Sequence, residues 1–257
     1  GIFDSGLGGL TAYKELHALL PAGDFVYFGD TGRVPYGSRS REILTRYARQ
    51  DIRFLLRQGA DVILAACGTV SSVVLDDIKS EFSIPLFGVV DASVNAALAA
   101  TKNEKIGVIG TGATISSGAF AKKIAAANPH AAVTSIACPL FVPLVENGYI
   151  GRGCTVTREV AADYLAPLRD EGIDTLILGC THFPIIADII GNLLPGVTLV
   201  NSGAAAAAEV AAVCGKTSGS GSASFFVSDS PVNFDTVARV FLGGETIRAQ
   251  KVDIEAY

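Results

Sequence analysis

The sequence predicts an α/β fold with mainly parallel sheets, and three observations predict it. Short apolar runs alternate with helical stretches along all 257 residues, the pattern of right-handed strand–helix crossovers. One strand occurs twice. Residues 59–67 read Gly-Ala-Asp-Val-Ile-Leu-Ala-Ala-Cys and residues 172–180 read Gly-Ile-Asp-Thr-Leu-Ile-Leu-Gly-Cys, followed by Gly68-Thr69 and by Thr181-His182. The polar and glycine-rich segments fall at the carboxyl ends of the predicted strands, beyond which ligands bind in such sheets. A duplicated strand that delivers a thiol at the same point in both halves implies that Cys67 and Cys180 face one another across a shared site.

Taken in order, residues 1–4 finish a strand, and Ser5 to Gly9 turn into a helix with Leu10, Tyr13, Leu16 and Leu20 on one face, ended by Pro21. Residues 25–29 form the second strand, and 30–37 are too rich in Gly and Pro to be regular. Ser40 caps a long amphipathic helix to about 58, and the first cysteine strand covers 61–66. Ser71 opens a helix to 81, residues 84–89 are a strand, and 92–100 are a helix. A strand at 105–110 ends in Thr111-Gly112-Ala113-Thr114. A helix at 117–127 and a strand at 132–137 end at Cys138-Pro139. Helices are read at 140–147 and 156–169, then the second cysteine strand at 174–178. Residues 184–194 are a helix, 197–200 a strand and 204–213 an Ala-rich helix. Residues 215–222, Gly-Lys-Thr-Ser-Gly-Ser-Gly-Ser, make a surface loop. A last strand at 223–228 and a helix at 232–242 complete the pattern.

Composition narrows the function. Hydrophobic residues make up 49 % and mean hydropathy is +0.42. Charged residues or Gly nonetheless interrupt every apolar run before the roughly 18 residues of a membrane span. The net charge is −5 and Lys and Arg are dispersed, which disfavours nucleic acid as a ligand. Five cysteines at irregular spacing fit free thiols in a reducing cytoplasm better than a disulfide framework. No secretory or transit segment is read at the start, which opens on Gly-Ile-Phe-Asp; the chain contains no methionine.

Cys138, Cys154 and Cys214 are read as small buried hydrophobes, the commoner role of a lone thiol. For Cys67 and Cys180 the repeat argues otherwise. Each also lies between a strand and the first turn of a helix, where free N–H groups and the helix dipole are expected to stabilise a thiolate. Two opposed thiols suit one reaction: a thiolate takes a proton from carbon while a thiol returns one to the opposite face, inverting a stereocentre. Asp4 and His182, next to strand ends, could set which thiol is ionised. The turn Gly6-Leu7-Gly8-Gly9 lacks the third Gly of a dinucleotide fingerprint and the Gly-Lys-Ser/Thr of a P-loop. The three histidines are scattered and no Cys-x-x-Cys occurs, so no metal is expected. No lysine sits at any of these strand ends to carry pyridoxal phosphate, so no cofactor is expected.

With these residues assembled, the sequence resembles the glutamate racemases of the aspartate/glutamate racemase superfamily. The resemblance rests on residues 3–9, 27–31, 33–37, Ala66-Cys67-x-Thr69, Cys138-Pro139-Leu140-Phe141-Val142-Pro143-Leu144-Val145-Glu146 and Leu178-Gly179-Cys180-Thr181-His182-Phe183-Pro184. It implies cofactor-free interconversion of L- and D-glutamate, the D-form feeding peptidoglycan synthesis in the cytoplasm. Cys67 would deprotonate D-glutamate and Cys180 L-glutamate, assisted by Asp4 and His182. Ser5, Thr69, Thr114 and Thr181 would hold the amino and α-carboxylate groups, and Pro35, Tyr36 and Gly37 would meet the side-chain carboxylate. It further implies two interleaved α/β domains, residues 1–92 with 204–257 and residues 93–203, with the site in the cleft between them. A homodimer is one expected assembly.

Two departures stand out. The family's Cys-Asn-Thr is here Cys67-Gly68-Thr69, so an amide expected at the substrate is missing. A charge-assisted hydrogen bond is worth roughly 1.5 to 3 kcal/mol, which predicts weaker binding. The family's Asp before Ser-Gly is Asn201 here, read as structural. The remaining alternatives are a racemase of another acidic amino acid, such as aspartate, and a ligand-binding homologue impaired by Gly68.

Overall fold

The computed structural model describes residues 1–257, the side chain of Asn233 excepted. The first run of elements is β1 (Ile2–Asp4), α1 (Leu10–Leu19), β2 (Phe25–Gly29), α2 (Arg41–Arg57), β3 (Ile63–Ala65), α3 (Gly68–Val73), α4 (Leu75–Ile78), β4 (Leu86–Gly88) and α5 (Val89–Ala100). The second is β5 (Lys105–Gly110), α6 (Gly112–Ser117), α7 (Ala119–Ala127), β6 (Ala132–Ala137), α8 (Phe141–Glu146), α9 (Thr155–Asp170), β7 (Thr175–Leu178), α10 (Ala187–Leu193), β8 (Thr198–Asn201) and α11 (Ser202–Cys214). The chain closes with β9 (Ala223–Val227), α12 (Pro231–Phe241) and β10 (Ala249–Lys251).

These elements build two α/β domains, each around a fully parallel sheet. One sheet has the order β10-β9-β2-β1-β3-β4, the other β6-β5-β7-β8. The four strands β2-β1-β3-β4 and the four strands β6-β5-β7-β8 follow the same path: start inside, step to one edge, then cross back to the other side. By that path β3 and β7 are equivalent, and Cys67 and Cys180 follow their carboxyl ends. The duplication seen in the sequence is therefore a duplication of topology. Strands such as β3 and β7 are buried on both faces, which is why they read as continuous apolar runs rather than alternating ones.

The helices obey local signals. Ser40 accepts the Ile43 N–H at 3.3 Å and starts α2, and Leu10, Tyr13 and Leu16 turn the buried face of α1 into the core. Helix α5 carries the chain from the first sheet to the second and α11 brings it back. The two pack on each other, and α11 also packs on α1. No helix among the described residues is long and apolar enough to cross a membrane.

Several boundaries differ from the sequence reading. Helix α3 starts at Gly68, not Ser71, because extended Cys67 occupies its N-cap position and Gly-Thr gives no apolar period to mark the start. Helix α5 starts at Val89, directly after extended Gly88, so the preceding strand is shorter than expected. Residues 183–186 form a 3₁₀ turn ahead of α10. Strand β10 was not expected at all: Ala-Gln-Lys at a sheet edge carries no apolar signature, and only its parallel pairing with β9 defines it.

Candidate active site

The carboxyl ends of both sheets open onto a cavity of ≈ 500 Å³. From the first domain it is lined by Asp4, Ser5 and Gly6 after β1, by residues 34–38 after β2, and by Cys67, Gly68 and Thr69 after β3. The second domain contributes Thr111 and Gly112 after β5, and Cys138 and Pro139 after β6. It also contributes Gly179 to His182 after β7, and Val142, Pro143 and Glu146 of α8. The repeated strand thus brings both thiols to the wall of one cavity. Of the residues singled out from sequence, Thr114 alone lies outside the lining. It is buried behind Thr111, whose hydroxyl stands 3.0 Å from that of Thr114 and 3.1 Å from that of Thr69. Thr111, a strand-end residue to which the sequence reading gave no role of its own, joins hydroxyls of both domains at the cavity wall.

The two thiols differ in surroundings. Cys67 is buried, with its Sγ 3.7 Å from the Ser5 hydroxyl. Burial pushes its pKa up to about 12, reinforced by the Asp4 carboxylate, and the N–H of Val70 in α3 and the Ser5 contacts offset only part of this. The expectation that the α3 terminus would hold a Cys67 thiolate is therefore corrected: in a six-residue helix beside a buried carboxylate, desolvation wins. Cys180 is followed by a 3₁₀ turn, not an α-helix, so its partner is a side chain. Its Sγ lies 3.9 Å from His182 Nδ1.

His182 is no surface histidine. It is buried, and its Nε2 lies 2.9 Å from Glu146 Oε1 at the end of α8. Burial disfavours the imidazolium, but the contacts with Cys180 and Glu146 outweigh it and raise the pKa to about 10. Nδ1 toward the thiol and Nε2 toward the carboxylate make Cys180–His182–Glu146 a line of proton-holding groups. Glu146 was quoted in the sequence only as part of a motif. No local pattern links it to a histidine 36 positions away.

Asp4 caps no helix, since α1 starts at Leu10 with Gly9 before it. Its Oδ2 accepts the Gly6 N–H at 2.9 Å. Burial raises its pKa despite His182 and the N–H groups of Gly6 and Gly9. Cys138 is buried as expected of a small hydrophobe, yet it lines the cavity as well. Burial, then the nearby Cys180, pushes its pKa up to about 12.

The loop that carries Pro35, Tyr36 and Gly37 is held from behind. Arg33 Nε donates to Asp30 Oδ2 at 2.6 Å, its Nη2 to Asp51 Oδ1 at 3.0 Å, and its Nη1 to Glu255 Oε1 at 3.2 Å. The Tyr36 hydroxyl donates to Asp51 Oδ2 at 3.1 Å and also contacts Asp30, so the phenol points away from the cavity and leaves the backbone of this loop to line it. Asp30 and Asp51 are fully buried. Arg33→Ala strands both carboxylates without a cation and is expected to destabilise the chain by about 3–5 kcal/mol. The midpoint of denaturant unfolding reads this directly, with a change under about 1 kcal/mol contradicting it.

Among the described residues no Lys or Arg lines the cavity. An anion there meets hydroxyls and backbone N–H groups, and an ammonium group meets Asp4 and Glu146. The arrangement can do proton transfer at carbon from two sides.

Comparison with known proteins agrees in kind. The family model for Asp/Glu/hydantoin racemases matches residues 17–210. A glutamate racemase of Geobacter metallireducens is 43% identical over 263 residues, spanning 100% of this chain and 97% of that protein. One of Aquifex aeolicus is 43% identical over 245 residues, spanning 95% and 94%. The crystal structure of glutamate racemase from Francisella tularensis in complex with D-glutamate matches with a TM-score of 0.91 at 35% identity, covering 100% of this chain and 98% of that one.

Proposed function

The chain belongs to the Asp/Glu/hydantoin racemase family, among its glutamate racemases, and from that membership we propose that it interconverts L- and D-glutamate by a two-thiol, cofactor-independent proton transfer. The observation that carries the mechanism is the pair of thiols at equivalent ends of duplicated strands, both lining one cavity.

In this reading Cys67 removes the α-proton of D-glutamate and Cys180 that of L-glutamate. The C–H electron pair stays on the α-carbon, whose planar carbanion is spread into the α-carboxylate. The opposite thiol then protonates the other face, so each turnover moves one proton onto one sulfur and one off the other. Cys67 rests as a thiol, given its high pKa. The substrate ammonium, arriving among Asp4, Cys67 and Cys180, supplies the positive charge that favours a thiolate. Asp4 and the His182–Glu146 pair hold or release the accompanying protons. Ser5, Thr69, Thr111 and Thr181 hold the amino and α-carboxylate groups, with Thr114 supporting Thr111 from behind. The backbone of Pro35, Tyr36 and Gly37 meets the distal carboxylate. Among the described residues no lysine lines the cavity to form a Schiff base with pyridoxal phosphate.

We further take residues 1–92 with 204–257 as one domain and 93–203 as the other. D-Glutamate for peptidoglycan in the cytoplasm is the proposed biological output. Incubation with L-glutamate in heavy water, with neither pyridoxal phosphate nor metal added, is the test. Deuterium should enter the α-position as D-glutamate accumulates to equal amounts of the two enantiomers. Absence of exchange with glutamate refutes the reading, and faster turnover of aspartate moves the substrate to the shorter acid.

A further inference from the structure

Gly68 is the position at which the sequence departs from the racemase pattern, and the structure gives that departure a geometry. A Cβ built on Gly68 would fall inside van der Waals contact of the Gly179 carbonyl oxygen, 3.3 Å from the Gly179 carbonyl carbon and 3.8 Å from Cys180 Cα. Gly68 follows Cys67 in the first domain, and Gly179 precedes Cys180 in the second. The two thiol-bearing turns therefore meet backbone to backbone, and nothing but the missing Cβ permits it.

The other glycine contacts that cross between the domains at the cavity are of a different kind. A Cβ on Gly37 would lie 3.3 Å from Thr111 Cβ, and one on Gly8 would lie 2.6 Å from His182 Nδ1. Those neighbours are side chains: Thr111 can give by a few tenths of an ångström, whereas His182 is held between Cys180 and Glu146. At Gly68 the obstacle is the peptide carbonyl of Gly179, which directly follows the buried strand β7 and donates its own N–H to the Ile109 carbonyl oxygen at 2.8 Å, so it cannot yield without moving the sheet.

We propose that Gly68 is a positioning residue: it is the stop against which the domains close, and its lack of a side chain sets the separation of the Cys67 and Cys180 thiols. This rests on the racemase reading above. It replaces the idea that Gly68 merely forfeits a substrate-binding amide. In this chain a closer approach of the two catalytic turns and the absence of the amide go together, because any Cβ at 68 drives the turns apart. A reaction that needs one sulfur on each face of the α-carbon is sensitive to that distance, and a displacement near 1 Å costs on the order of 10²-fold.

Gly68→Ala isolates the steric effect from any amide. Racemisation by the unaltered chain is measured first: its absence refutes the glutamate reading, and the scattering comparison below then decides the stop. With an active parent, Gly68→Ala should lower kcat by about 10- to 100-fold with KM shifted by less than about threefold. Gly68→Asn should do the same or worse. Gly37→Ala, which meets a movable side chain, should lose several-fold less than Gly68→Ala. Thermal unfolding and calorimetric binding of D-glutamate establish that each variant is folded. If Gly68→Ala keeps kcat within about twofold of the parent, the positioning role is wrong. It is equally wrong if Gly68→Asn raises kcat/KM, because the amide was then what the site lacked. Equal losses at Gly37 and Gly68 also overturn it. Should Gly68→Ala not fold, small-angle scattering of the unaltered chain with and without D-glutamate decides. Compaction to the dimensions of this structure supports the stop, and a bound form more open than this structure overturns it.

Discussion

Cys67→Ser and Cys180→Ser are each expected to lower racemisation by about 10²- to 10⁴-fold, the range a positioned acid or base contributes. Serine keeps the size of the side chain, so the cavity and its hydrogen bonds persist, but a hydroxyl is neither a competent base nor a comparable acid at neutral pH. Each variant should fail in both directions, although only one of the two thiols removes the proton in a given direction. The reason is that the other must deliver one. The enantiomers have equal free energy in water, so kcat/KM for L→D and for D→L must fall together. Calorimetric binding of D-glutamate separates lost chemistry from lost binding. Near-parental turnover in either variant refutes the two-thiol assignment.

This pair of residues is also where the sequence was most legible. A strand that repeats with its terminal cysteine can be recognised because both copies are buried on two faces and so keep an uninterrupted apolar run. The same logic made Phe25–Gly29 and Lys105–Gly110 readable to the residue, whereas Ala132–Ala137, also read to the residue, is only partly buried. Legibility failed where a feature depends on a partner distant in the chain. Strand β10 is defined by its pairing with β9, and Glu146 by its approach to His182. The helix-terminus argument for an ionised Cys67 failed for a quantitative reason. It weighed a short helix dipole without the burial and the Asp4 carboxylate that oppose it. Gly68 could be flagged as unusual from sequence, but its meaning needed the position of Gly179, 111 residues further on.

Glu146→Gln is the second variant expected to have a large effect, and its signature is a shifted pH dependence. The Cys180–His182 pair must hold one proton to deliver to the carbanion formed from D-glutamate. His182 keeps that proton up to about pH 10 in the parent, where burial opposes the charge and the contacts with Cys180 and Glu146 sustain it. A neutral amide at 146 keeps a hydrogen-bond acceptor but removes the negative charge, so His182 releases its proton at a lower pH. The alkaline limb of kcat/KM should therefore move down toward neutrality, leaving a small loss in mildly acidic solution and a loss on the order of 10²-fold at the alkaline end. Stability follows the same sign. A histidine whose folded pKa, about 10, lies above its ordinary 6.5 contributes stability in full below the ordinary value and loses it as pH rises through the folded one. In the variant that loss sets in earlier within the same window. The Glu146 side chain is 40% exposed, so solvent screens its charge and the effect on unfolding should be smaller than that on catalysis. The decisive measurement is a pair of pH–rate profiles, parent against variant. An alkaline limb that stays in place would mean that His182 holds its proton without Glu146, and that the line from carboxylate to imidazole to thiol does not work as a unit.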